Sequence, residues 1–284
     1  MTKKTLVYLI TSVVIISLLA TILFYYYSSV PGEPRAAIID QLSSSQLTNS
    51  SRYVNQTFFD NTKALLSMRF SKVDYYSDNA TVENYKTLSS MGYKLIIWRA
   101  HSALDESKYV AISTSERDGS KNYDQYSNDQ LKLCNITGDP ILYFAITPKF
   151  VTECMTGRFD DTVIILMSCN GLKKDYYETA EAFVEKGAKV FISWDGWVNE
   201  SDNDCATTLL LQHLINENNT VREAINKIPQ YIGEWGPSKL DFYPKTVSEA
   251  AEYHIPDYRG STTGINAEAA AVPILEKHFQ KALS

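Results

Sequence analysis

The chain has 284 residues, 44% of them apolar and 12% aromatic, enough to bury a sizeable core. Its 27 basic and 33 acidic residues leave a net charge of −6, which repels phosphate backbones and argues against nucleic acid as a partner. Residues 5–29 contain no charged side chain and are dominated by Leu, Ile, Val, Phe and Tyr. That run covers the ~20 residues a hydrocarbon core requires and predicts one transmembrane helix. Lys3 and Lys4 precede it and Glu33, Pro34 and Arg35 follow it. The basic flank therefore makes residues 1–4 a cytoplasmic tip and places everything after residue 30 outside, with Phe24, Tyr25, Tyr26 and Tyr27 at the outer interface. The competing reading is a cleaved signal peptide, whose apolar region is shorter, ~7 to 15 residues. Asn49, Asn55, Asn79, Asn135, Asn199 and Asn218 each open an Asn-Xaa-Ser/Thr triplet. They are glycosylation candidates on surface turns of a single-pass protein whose C-terminal portion is extracytoplasmic.

Residues 30–70, with Ser43 to Ser45 and Asn49 to Ser51, are predicted to form a polar stalk carrying an amphipathic helix near Phe58–Met68, and residues 71–284 the folded domain. Strands are predicted at Tyr93–Trp98, Tyr109–Thr114, Ile141–Ile146 and Val163–Met167. Continuous apolar runs of this kind suit strands covered on both faces. A helix follows over about Asp175–Lys186, with Ala180, Phe183 and Val184 on one face and Gly187 at its C-cap, then a strand at Ala188–Ser193. Strand, helix and strand in so short a span form a βαβ unit, whose crossover makes the two strands parallel. Further helices are predicted at Asp204–Asn216 and at Thr220–Ile228, the second opened by Thr220 with Glu223 three residues on. Beyond Pro229 the chain reads as irregular, through Gly233, Gly236, Pro237 and Pro244, up to a final helix over Asn266–Leu283. The order of elements predicts an α/β fold with a mainly parallel sheet between helix layers.

In such sheets functional groups gather beyond the carboxyl ends of the strands. His101 follows one predicted strand and Cys169 another, which would bring a base and a nucleophile to one edge. The segment Leu166-Met167-Ser168-Cys169-Asn170-Gly171, with Ala180 to Trp194 after it, resembles the caspase-like cysteine peptidases, gingipain-type and CHAT domains in particular, over about residues 160–230. The resemblance implies a three-layer αβα sandwich with Cys169 as nucleophile and His101 as base. It also implies backbone amides at Ser102 and Cys169 facing the oxyanion, and a substrate pocket bounded by Ser168 and Trp194. These families usually place Gly directly after the catalytic His, where this chain has Ser102.

Asp195, Trp197, Asp202 and Asp204 follow the strand that ends at Trp194, so an acidic cleft is expected, with Asp195 contacting a Lys or Arg side chain of the substrate. In an oxidising compartment four cysteines allow three full pairings. Cys134 and Cys154 bracket one strand and are the disulfide candidate, and a Cys169–Cys205 bridge is the arrangement that would silence the nucleophile. His213, His254 and His278 show no metal-ligand spacing, and no Gly-rich phosphate loop follows a strand, so neither metal nor cofactor is expected. Two functions follow. One is a membrane-anchored, extracytoplasmic cysteine peptidase acting on peptides or proteins, with a preference for cutting after basic residues. The other is a catalytically silent caspase-like domain that binds a ligand at the cell surface.

Overall fold

The computed structural model describes residues 15–19, 34–136 and 139–259. Residues 15–19 are helical and belong to a separate unit, Met1–Glu33. Among the described residues no helix is long and apolar enough to cross a membrane, and most of the expected span lies outside them. The expected helix over Asn266–Leu283 also lies outside the described residues.

The second unit runs from Pro34, and its strands in chain order are β1 (Arg35–Asp40), β2 (Lys72–Tyr76), β3 (Tyr93–Arg99), β4 (Ser102–Leu104), β5 (Val110–Arg117), β6 (Leu131–Asn135), β7 (Leu142–Ile146), β8 (Thr162–Met167), β9 (Ala188–Trp194), β10 (Tyr231–Gly233), β11 (Gly236–Ser238) and β12 (Leu240–Tyr243). Its helices are α1 (Gln56–Leu66), α2 (Val82–Thr87), α3 (Asp124–Ser127), α4 (Pro148–Glu153), α5 (Glu178–Glu185), α6 (Glu200–Leu211), α7 (Val221–Asn226) and α8 (Ser248–Ala251). The central sheet has the order β12-β9-β8-β3-β1-β2. All neighbours in it are parallel except β12, which closes one edge antiparallel to β9.

Alternation along the buried strands divides the core. Leu95 and Ile97 of β3, with Val163 and Ile165 of β8, join the apolar cluster under α1, α6, α7 and α8. Ile96 and Trp98, with Ile164 and Leu166, join the cluster under α2, α4 and α5. A side-chain period of two sends successive residues to opposite faces, and both faces are covered, which is why these strands read as unbroken apolar runs. Gly187 ends α5 at φ +106, where an added Cβ would stand 2.2 Å from the Phe159 carbonyl oxygen, so the βαβ turn requires glycine.

Several expectations need correction. The stalk drawn over residues 30–70 is folded structure from Arg35 onward, since β1 lies inside the sheet between β3 and β2 and α1 packs beneath it. The predicted strands at Tyr109–Thr114 and Ile141–Ile146 belong to a second, antiparallel sheet of order β4-β5-β7-β6. The helix expected from Asp175 starts at Glu178, because Asp175 has φ +67 in the turn before it. The helix expected from Asp204 starts at Glu200, capped by the Asn199 side chain. The stretch after Pro229 holds the β10–β11 hairpin and β12.

Candidate active site

Strands β3 and β8 pair in parallel from Leu95↔Val163 to Arg99↔Met167, and the Ala100 amide donates to the Met167 carbonyl at 3.4 Å. His101 and Cys169 each follow two residues after the last pair, so equal offsets carry them off neighbouring strands side by side. Such strands run ~4.8 Å apart. The His101 amide donates to Gln41 Oε1 at 3.1 Å, its carbonyl accepts from the Ser113 amide at 3.0 Å, and its ring meets the Tyr53 ring edge-on at 5.2 Å. Ser102 Oγ donates to the Cys169 carbonyl at 2.6 Å, holding that peptide plane. Asn170 turns the chain at φ +60, and Gly171 fits closely, since a Cβ there would stand 2.1 Å from Ser193 Oγ. The two candidate side chains share the lining of one cavity of about 280 Å³, with Ser102, Ser168, Trp197 and Glu200 among its walls.

The electrostatics of the resting site follow from burial. His101 Nε2 is buried without a hydrogen-bond partner among the described residues. Burial drives the imidazole pKa down to about 4; the Glu200 carboxylate opposes the shift, and the Arg99 and Arg52 guanidinium groups add to it. Burial also pushes the Cys169 thiol up, and Glu200 adds to that rise. At neutral pH the pair is therefore an uncharged imidazole and a protonated thiol. The thiol proton points elsewhere: Cys169 Sγ donates to the Val198 carbonyl at 3.3 Å.

A buried ion triad joins the strand ends that precede the site. Arg99, 1% exposed, donates from Nε and Nη2 to the two oxygens of Asp204 at 2.7 and 2.9 Å, and from Nη1 to Asp40 at 3.0 Å. Asn55 Nδ2 donates to Asp204 as well, at 2.9 Å. These bonds tie the ends of β1 and β3 to α6, whose first residue is Glu200.

His101, Ser102, Ser168 and Cys169 all line the cavity, whereas Trp194 and Asp195 do not. Trp194 is buried and donates from Nε1 to Asn203 Oδ1 at 2.9 Å, while the Asp195 carboxylate accepts from the Lys239 amide at 2.8 Å. Strand β12 pairs with β9 up to Leu240↔Trp194 and so draws both residues away from the rim. Their places are taken by Trp197 and Glu200. Asp202 sits in the first turn of α6 outside the lining, and Asp204 belongs to the triad. The run Asn199-Glu200-Ser201-Asp202, an N-cap followed by acidic residues, was the sequence signal for a helix start that presents Glu200.

All four cysteines are free thiols, so neither Cys134–Cys154 nor Cys169–Cys205 is bridged. Cys134 packs in a small cluster against the second sheet and Cys154 in the cluster under α4 and α5. Of the glycosylation candidates, Asn49, Asn79, Asn135 and Asn218 are exposed. Asn55 and Asn199 are half-buried N-caps of α1 and α6 rather than open turns. Among the described residues no group of three or more His, Cys, Asp or Glu is placed to hold a metal ion. No protein-family model matches the chain, and no curated protein matches it.

Proposed function

We propose that the chain is a caspase-like cysteine peptidase, membrane-anchored and extracytoplasmic, whose reaction uses His101 and Cys169. The observation that carries this reading is the equal offset of the two residues past the Arg99↔Met167 pair, over a shared cavity. Neutral His101 takes the Cys169 proton and the thiolate attacks a peptide carbonyl, with backbone amides near Ser102 and Cys169 facing the oxyanion. His101 then returns the proton to the leaving amine, and water attacks the thioester, restoring the thiol and releasing the acid. The thiol must first turn away from Val198. Glu200, in the place expected of Asp195, favours a Lys or Arg side chain before the cut.

A second reading, a silent binding domain, draws on the thiol's bond to Val198 and on Ser102 after the histidine. Iodoacetamide labelling, followed by mass spectrometry of the Cys169 peptide, separates the two. The peptidase requires Cys169 to label faster than Cys154 and Cys205, and His101→Ala to slow it by at least ~100-fold, the low side of what a positioned base contributes. Peptide hydrolysis should vanish in Cys169→Ala. Equal labelling rates with and without His101 would leave the binding domain as the function.

A further inference from the structure

Beside the cavity two large apolar side chains stand in water, Trp197 at 44% exposed and Trp235 at 60%, and Ile232, 70% exposed, lies on the same hairpin as Trp235. Single exposed apolar residues are ordinary, but a contiguous group on the rim of a cavity marks a contact surface. The Trp197 and Trp235 rings lie 5.6 Å apart, tilted by 45°, and Trp197 is itself a wall of the cavity over Cys169.

The chain is built to present this pair. In the β10–β11 hairpin Gly233 pairs with Gly236, leaving Glu234 and Trp235 as the two turn residues. The positive φ of this turn falls on Gly236 and on neither tip residue, so the backbone tolerates tryptophan at the tip but gives no reason for it. The hairpin is nonetheless well anchored. Tyr231 OH accepts from Asn199 Nδ2 at 3.2 Å, and the Tyr231 ring lies edge-on to Trp194 at 6.3 Å. Gly196 comes so close that an added Cβ would stand 3.2 Å from Ser238 Cβ. A fixed scaffold therefore holds an unpaired aromatic surface continuous with the cavity wall.

We propose that Trp197 and Trp235 form a subsite for an aromatic or aliphatic side chain of a peptide whose neighbouring residue occupies the cavity over Cys169. Offset aromatic packing onto two indoles supplies the recognition, and the cavity holds the adjoining peptide unit. The inference rests on the reading of the cavity as a peptide site, and it holds for a peptidase and for a silent binder alike.

The test compares N-benzyliodoacetamide with iodoacetamide on the intact protein, reading Cys169 labelling by mass spectrometry and scaling both rates to a free thiol. The benzyl reagent should label Cys169 about fivefold faster, in the range of a single aromatic pair. Trp235→Ser, at an exposed turn position, should bring the ratio close to one while leaving the iodoacetamide rate unchanged, and Trp197→Ser should lower the ratio too. Cys154 and Cys205 should show no preference in any variant. A wild-type ratio of one, a ratio that survives both substitutions, or failure of both reagents to reach Cys169 overturns the subsite. A blue shift of tryptophan emission with phosphatidylcholine vesicles that Trp235→Ser abolishes, without a benzyl preference, would overturn it in favour of a lipid contact. Loss of His101 dependence with the benzyl preference intact would instead sink the peptidase and keep the subsite.

Discussion

Strands β3 and β8 pass through two chemistries in one traverse of the sheet. In the interior, Leu95 to Trp98 and Val163 to Leu166 present only apolar side chains to both faces. At the carboxyl edge, Arg99 and Ser168 are buried almost as completely, and His101 and Cys169 follow half-buried. Similar burial carries opposite sign in the two places. Apolar area leaving water stabilises by roughly 25 cal/mol per Å², whereas a polar group costs free energy unless it finds a partner. Arg99 has its partners in Asp40 and Asp204. His101 Nε2 and Ser168 Oγ have none among the described residues, although both residues line the cavity.

The contrast breaks most completely if a charge enters the interior. Ile165→Asp, at a position 1% exposed between two helix layers, should prevent folding or cost more than ~4 kcal/mol in chemical denaturation. A melting shift of a degree or two would mean the interior is not closed there. At the edge, Arg99→Met should cost about 3–5 kcal/mol, because two buried carboxylates lose their cation. Burial already holds the Asp204 carboxyl above its ordinary value with Arg99 opposing, so losing the guanidinium raises it further, and the loss should be larger at pH 8 than at pH 5 in urea melts. An equal loss at both pH values would show that Arg99 acts by packing alone.

A smaller effect belongs to His101. Its folded pKa of about 4 lies below the unfolded 6.5, so the unfolded chain takes up the proton first as the solution is acidified. Its contribution is whole above pH 6.5 and is lost progressively toward pH 4, roughly 3 kcal/mol in all. His101→Gln should flatten the slope of unfolding free energy in that window, and a variant as steep as the wild type would place the imidazole in water.

The interior was the legible part. Unbroken apolar runs announced β3, β8 and β9, and Thr220 with Glu223 announced the capping box that opens α7. What failed were elements whose burial is decided by their neighbours. In β1, Ala36 and Ala37 precede only two large apolar residues, and the Ser-rich run behind them resembles a linker, yet the strand is buried by β2 and β3. Strand β12 stands among prolines and is a strand because β9 offers it an edge. The edge chemistry was legible where it follows from position after a strand, as for His101 and Cys169. It was illegible where it depends on pairing across elements. Asp204 read as a cleft carboxylate until Arg99 enclosed it, and Trp194 and Trp197 could be told apart only once β12 had drawn the first of them inward.

On a clock, Cys169 is a group in fast exchange between two partners. An unrestrained side-chain rotor hops within picoseconds to nanoseconds, while surface loops shift over nanoseconds to microseconds. Sγ is bonded to the Val198 carbonyl, which lies in the loop between β9 and α6, the same loop that carries Trp197 to the rim, so the position of that loop biases the thiol's turn into the cavity. Such motion is far faster than alkylation, so whatever steadies or displaces that loop sets the fraction of sulfurs that can be met at any instant, and it scales the labelling rate at every reagent concentration without capping it.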